Sequence, residues 1–302
     1  MMQSPCLIDA SAKYGNVGSR CHVCGTSQLR QQFLVPLLDG PHRPNKRAKD
    51  RKIYRCDLCG HLSADLYVLS QYANYYESLS TDYHYCHDFD RSRYQQILDN
   101  IPKQSVRRVL DIGCGTGTFL AMLPPDVERF GIEPARAATS SARARGVEVV
   151  EYVDLMKPEL RNTFDLVTAI DVIEHIADLQ HFRQHVIAAL RPGGMVVLLT
   201  GNTASRSARL LGSHWSYLHY AEHVSFFSPQ SMRVWLHPTF SNIELTSTNH
   251  HQLNSKEALT LLRIWLLFPG KWIFRKLFPV RLNMYTALSL PGDHMLVRAI
   301  CN

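Results

Sequence analysis

Three groups of residues carry side chains whose types and spacing could do chemistry. The first is the run VLDIGCGTG at 109–117, with Gly113, Gly115 and Gly117 at alternate positions and Asp111 two places ahead of them. Glycines so spaced let a backbone approach a ligand closely and take positive φ without steric cost. A helix starting near Thr118 leaves backbone N–H groups facing whatever docks there. Asp111 narrows the choice of ligand. A carboxylate at the strand tip repels a pyrophosphate but suits a ligand that carries an ammonium group.

The second group is the pair of knuckles CHVCG at 21–25 and CDLCG at 56–60. Thiolates separated by two residues on a glycine-ended turn can meet one metal ion. Two such turns complete a tetrahedral zinc site from Cys21, Cys24, Cys56 and Cys59. Four thiolates in one closed site imply a structural metal with no position left for catalysis. The span between the knuckles is longer than a usual zinc ribbon, and a basic stretch at 41–52 explains the excess as a solvated insertion. Cys6, Cys86, Cys114 and Cys301 show no pairing pattern. The third group is Tyr220, Glu222 and His223, a phenol, a carboxylate and an imidazole within four residues. Such a set can abstract a proton and steady the anion left behind. His175 competes as a base but reads better as a structural residue at a helix mouth.

The elements that must position these groups follow from apolar patterning. Strands are expected near 107–112, 128–133, 147–151, 164–170 and 194–200, alternating with helices near 91–100, 117–123, 135–144 and 178–190. That alternation is the signature of βαβ units on a parallel sheet. Arg191, Pro192, Gly193 and Gly194 form a helix stop and turn before the fifth strand. A helix at 229–237 and two late strands near 242–248 and 294–300 complete the set. Two domains are expected: residues 1–90, with the knuckles, the basic insertion and a Tyr-rich connector around Tyr72, Tyr75 and Tyr76, and residues 91–302.

Composition bounds the rest. Five of the seven net positive charges fall within 41–52, so the chain lacks the basic stripe that nucleic-acid binding calls for. Residues 1–20 lack an apolar signal core and no stretch is apolar enough to span a bilayer, so a cytoplasmic location is expected. Cysteines there serve as thiols or metal ligands. Residues 259–282 mix apolar, aromatic and basic side chains in a way that suits peripheral membrane contact, although Pro269 and Gly270 break the helix. Core packing or a dimer face is the better reading of that segment, and no pattern sets an oligomeric state.

With Asp111 to Gly117, Glu133 at the end of the second strand, the run DVIEH at 171–175 and the turn at 191–194 in order, the chain resembles the class I S-adenosylmethionine-dependent methyltransferases. The resemblance implies an α/β fold: a Rossmann-like, doubly wound, mostly parallel seven-stranded sheet, here beside a small N-terminal zinc-ribbon-like module. It further implies that Asp111 and the glycine turn hold the methionine part of S-adenosylmethionine and Glu133 the ribose. Asp154 would lie near the adenine and Asp171 close to the cofactor. A nicotinamide-dependent dehydrogenase shares the glycine turn but not the two later motifs. The knuckles, the Tyr-rich connector and the segment Tyr-x-Glu-His-x-x-x-Phe-Ser are similar to sugar C-methyltransferases and to methyltransferases of surface-polysaccharide clusters. That likeness makes Tyr220, Glu222 and His223 the catalytic set and a nucleotide-linked or lipid-linked sugar the small-molecule acceptor, methylated at carbon or oxygen. The alternative is an RNA-directed methyltransferase or nucleic-acid-binding module using the zinc knuckles and the basic loop.

Overall fold

The computed structural model describes residues 20–35, 50–65, 91–102, 105–220, 222–248 and 292–302. Residues 41–49 of the basic stretch, the Tyr-rich connector, the 259–282 segment, Cys6 and Cys86 lie outside the described residues.

Strand β4 (Arg108–Ile112) is apolar on both faces, with Val109, Leu110 and Ile112 fully buried, as a central parallel strand requires. Around it a seven-stranded sheet assembles from β5 (Glu128–Ile132), β6 (Glu148–Val149), β7 (Phe164–Ile170), β8 (Leu190–Gly201), β10 (Phe240–Thr248) and β11 (His294–Cys301). The order is β10-β11-β8-β7-β4-β5-β6. β4 pairs in parallel with both β5 and β7, and β7 with β8, whereas β11 runs antiparallel between β8 and β10. The connections reverse direction at β4. Outside the carboxyl ends of the strands at such a switch point lies the crevice where doubly wound sheets bind ligands.

The helices are α1 (Arg91–Asp99), α2 (Thr118–Ala121), α3 (Arg136–Ala144), α4 (Leu179–Ala189), α5 (Arg206–Leu211) and α6 (Pro229–Leu236). Ser228 caps α6, accepting from the Ser231 N–H, and Asp178 caps α4 through the His181 N–H. The turn expected before the fifth strand lies instead within β8. Phe164 pairs with Leu190 and Leu166 with Met195, so residues 191–194 bulge out of register between them. Asp165 pins the bulge by pairing with Arg191 while accepting from the Arg107 and Arg108 N–H groups at 2.7 and 2.9 Å.

A second sheet carries the cysteine pairs. Its order is β1 (Leu29–Val35), β2 (Arg51–Cys56), β3 (Leu62–Ala64) and then β9 (Ser225–Phe226). β9 begins two residues after His223, and it pairs antiparallel through Leu62 with Phe226 and Ser63 with Ser225. Arg51 therefore starts a strand. The reading of 41–52 as a solvated insertion fails at this residue, which is 1% exposed. No helix among the described residues is long and apolar enough to cross a membrane.

Candidate functional site

At the end of β4 the chain turns through Gly113, Gly115 and Gly117, with φ of 77°, 52° and 78°. A Cβ on Gly113 would stand 2.5 Å from Val172 Cγ2, which places the turn against the chain leaving β7. A Cβ on Gly117 would stand 3.1 Å from Ala142 Cα of α3. Gly115 has no described atom within 4 Å of that position, so its backbone faces open space. Two glycines serve packing, and the middle one keeps room for a ligand. The Glu133 carboxylate, just past β5, closes the turn by accepting from the Gly115 N–H at 2.9 Å and the Ala135 N–H at 2.8 Å. Burial raises its pKa, against those two bonds. A carboxylate has about four acceptor positions, so two remain for hydroxyl groups of a ligand.

Asp111 is buried one residue before the end of β4, and its Oδ1 accepts from Thr168 Oγ1 at 2.6 Å. Burial pushes its pKa up to about 7, partly offset by the Thr168 bond. Asp154 lies on the 3-10 turn Tyr152–Met156 beyond β6, where it accepts from the Glu151 N–H and pairs with Lys157 at 2.6 Å. That lysine holds its pKa below the ordinary value. Asp171 follows β7 with φ 54°, a rare conformation for a residue with a side chain, and pairs with Arg93 of α1 at 3.3 Å. His294 Nε2 stands 3.9 Å from its other oxygen. Asp111, Glu133 and Asp171 thus lie at or near strand ends, and the carboxylates of all three and of Asp154 accept hydrogen bonds from the protein.

A second cluster forms where the chain after β8 returns to the 3-10 turn Ile173–His175. His175 Nδ1 lies 3.2 Å from the Glu222 carbonyl, and His223 Nδ1 lies 3.0 Å from the Tyr217 carbonyl. A ring nitrogen facing a carbonyl carries the hydrogen, which makes Nε2 of His223 the basic atom. The two rings pack edge to face at 4.8 Å, and Tyr220 lies 5.0 Å from His223. Burial is the main reason the pKa of His223 falls well below 6.5, and His175 adds to it. Burial also lowers His175, opposed by the nearby Glu222 carboxylate. Glu222 Oε2 is buried without a hydrogen-bond partner among the described residues. Tyr220, Glu222, His223 and His175 therefore lie together, with His175 on the 3-10 turn that the loop packs against.

Three members of this site were not apparent from the sequence. Glu174 is buried, accepts from Thr200 Oγ1 at 2.9 Å, and is pushed by burial to a pKa of about 8. Tyr217 receives the Gly201 N–H at 2.9 Å and packs 4.3 Å from His223. Arg51 reaches the loop from β2. Glu174 was visible only as a letter inside DVIEH. Tyr217 and Arg51 had no spacing signal, because the partners of their side chains lie far away in sequence.

Two clusters have donor sets that suit a metal ion: Cys21, Cys24, Cys56 and Cys59, and Glu174, His175 and His223. In the first, Cys21 and Cys59 sulfurs lie 3.6 Å apart and Cys24 and Cys56 sulfurs 3.5 Å. Disulfide bonds would require about 2.05 Å. Thiolates at about 2.3 Å from a tetrahedral zinc ion stand roughly 3.8 Å apart, close to what is seen. Gly25 and Gly60, with φ of 74° and 75°, close the knuckles by donating to the Cys21 and Cys56 carbonyls. The bond between Cys21 and Cys59 holds the Cys21 thiol below its ordinary value and pushes Cys59 above it. In the second cluster both imidazoles face backbone carbonyls through Nδ1 and the carboxylate accepts from Thr200.

The profile of the Methyltransf_23 family, described as a methyltransferase domain, matches residues 86–239. A ubiquinone biosynthesis O-methyltransferase of Rhizobium leguminosarum bv. trifolii is 36% identical over 115 residues, covering 34% of this chain and 44% of that protein. A protein of the same description from Methylobacterium sp. is 33% identical over 136 residues, covering 42% and 51%. The chain spans about half the length of the curated relatives it matches. Among solved structures, a Bacillus halodurans methyltransferase aligns with a TM-score of 0.51 at 16% identity, covering 69% of this chain and 98% of that one. A chain from the complex of the Haloferax volcanii Trm112 methyltransferase activator with a methyltransferase aligns at 0.51 and 17% identity, covering 75% and 97%. These two share the fold. By the match over 86–239, the chain belongs to the methyltransferase-domain family.

Proposed function

We propose that this protein moves a methyl group from S-adenosylmethionine to a carbon or oxygen of a small sugar-type acceptor, with a structural zinc ion in the four-cysteine site. The observation that carries the reading is a cluster of two imidazoles, a phenol and a carboxylate near Asp171, whose neighbour Val172 packs against the glycine turn at Gly113. Residues of the donor half have distinct tasks. Gly115 leaves room for the ligand backbone, Asp111 suits its ammonium group, and Glu133 has acceptor positions left for ribose hydroxyls. When bound, S-adenosylmethionine supplies a methyl group on a positively charged sulfur, already activated for transfer.

On the acceptor side His223 is neutral at physiological pH, and its Nδ1–H is committed to the Tyr217 carbonyl. It takes a proton from the acceptor at Nε2. Glu222 supplies negative charge beside His175, whose ring packs on His223, and Tyr220 steadies the acceptor anion. Holding acceptor and donor in line is the larger contribution, worth up to ~7–11 kcal/mol. The O-methyltransferase relatives support oxygen as one receiving atom. Nucleotide sugars and lipid-linked saccharides, incubated with the protein and S-adenosylmethionine, are expected to gain a methyl group by mass. With the acceptor so found, His223→Ala lowers kcat by about 10²–10⁴-fold while S-adenosylhomocysteine affinity changes little. Equal losses in both would move His223 from chemistry to structure.

A further inference from the structure

The loop carrying Tyr220, Glu222 and His223 is held from outside the seven-stranded sheet. Arg51, the first residue of β2, is buried, and its guanidinium grips that loop at both ends. Nε donates to the Leu218 carbonyl at 3.1 Å, and Nη2 donates to the same oxygen. Nη1 donates to the His223 carbonyl at 2.8 Å. The guanidinium carbon also lies 5.6 Å from the Phe226 ring centre. Immediately beyond His223 the chain is tied to the same small sheet, since the Ala64 N–H donates to the Val224 carbonyl at 2.9 Å and β9 pairs with β3.

Resting on the methyl-transfer reading above, the geometry points to Arg51 as a positioning residue that clamps the 218–223 loop onto the cysteine-bearing sheet and thereby aims His223 at the acceptor. A buried charge is costly unless every donor is used, and here the fork spans two carbonyls that flank the catalytic set. Lysine cannot copy it, because an ammonium is a point donor without the planar fork. The groups facing His223 are His175, Tyr217, Tyr220 and Arg51 itself, with Asp171 close enough to influence its charge. The donor residues Asp111, Gly115 and Glu133 stand on β4, on the glycine turn after it and just past β5. The clamp therefore separates the two halves: loosening it frees the acceptor loop and leaves the donor site in place.

The test compares the full-length protein with Arg51→Met and Arg51→Lys, using S-adenosylhomocysteine as the probe ligand. Diethyl pyrocarbonate labelling, read peptide by peptide by mass spectrometry, reports access to His223. His185, 5% exposed against 8% for His223, is the internal reference. In Arg51→Met, His223 is expected to label at least about tenfold faster, equivalent to ~1.4 kcal/mol of local opening. His185 labelling and the Kd for S-adenosylhomocysteine stay within about threefold. Arg51→Lys gives a smaller acceleration at His223 alone, and it decides the matter if the methionine variant does not fold. Unchanged His223 labelling in the folded variants would overturn the clamp. So would a joint rise at His223 and His185, which marks general loosening. Wild-type protein that binds no S-adenosylhomocysteine counts against the methyl-transfer reading instead, while the labelling contrast still judges the clamp.

Discussion

Asp111 keeps its proton close to neutrality because burial outweighs the bond from Thr168, placing its pKa at about 7 against an ordinary 3.8. The folded chain thus holds this proton more tightly than the unfolded one. Asp111 costs nothing below the unfolded value, and its destabilising effect grows as pH rises from 3.8 to about 7. An ammonium-bearing ligand favours the charged carboxylate and so expels the proton on binding. Affinity for S-adenosylhomocysteine is expected to rise between roughly pH 6 and 8, with proton release detectable by calorimetry in buffers of different ionisation enthalpy. Asp111→Asn should flatten the profile. A flat wild-type profile would remove Asp111 from the donor site. Residue types gave this much in advance: an acidic side chain before a glycine turn announces a cationic ligand. They gave no notice of Glu174, because its raised pKa comes from complete burial, a property of the folded surroundings and not of its own letter.

Among the elements, the glycine turn makes the sharpest distinction between fold and site. Gly113→Ala meets Val172 at 2.5 Å and a φ of 77°, so it should lower stability by about 1–3 kcal/mol, read as a fall in Tm. Gly115→Ala carries only the left-handed penalty of roughly 1–2 kcal/mol, since no atom of the described residues lies within 4 Å. Its larger effect belongs to the ligand: S-adenosylhomocysteine should bind at least about tenfold more weakly, a loss of ~1.4 kcal/mol. If Gly115→Ala binds as well as wild type, the open space there is not the ligand's. The parallel strands and amphipathic helices of this layer were legible from periodicity, because each must bury a face that its own sequence marks out. β9 was not. Two residues carry no period, and Ser225–Phe226 becomes a strand only because β3 offers an edge. The bulge at 191–194 was legible as a turn, but its place inside β8 depends on Asp165, which precedes it by a helix.

For the whole molecule, the cysteine site cannot come apart alone. Cys21, Cys56 and Cys59 pack in the same apolar core as Leu110, Ile112, Phe227 and Trp235. Gln180 of α4 donates to the His22 and Val23 carbonyls, joining the first knuckle to the methyltransferase helices. Metal analysis is expected to find about one zinc per chain, since four thiolates complete one tetrahedral site. Chelation should lower the Tm of the entire protein in one transition by roughly 10 °C or more. A chelator that strips the metal and leaves Tm unchanged would sink the structural role. The cysteine pairs were legible from spacing, but their union with the main core was not, because it rests on side chains spread from Val23 to Trp235. The pairing of Ser63 with Ser225 also sets a timetable for the nascent chain. At roughly 5–20 residues per second, β3 emerges on the order of 10–30 s before the two residues that cover its edge. Through that interval the unpaired edge is open to a neighbouring chain on the same messenger, so crowded translation should favour aggregates seeded at β3.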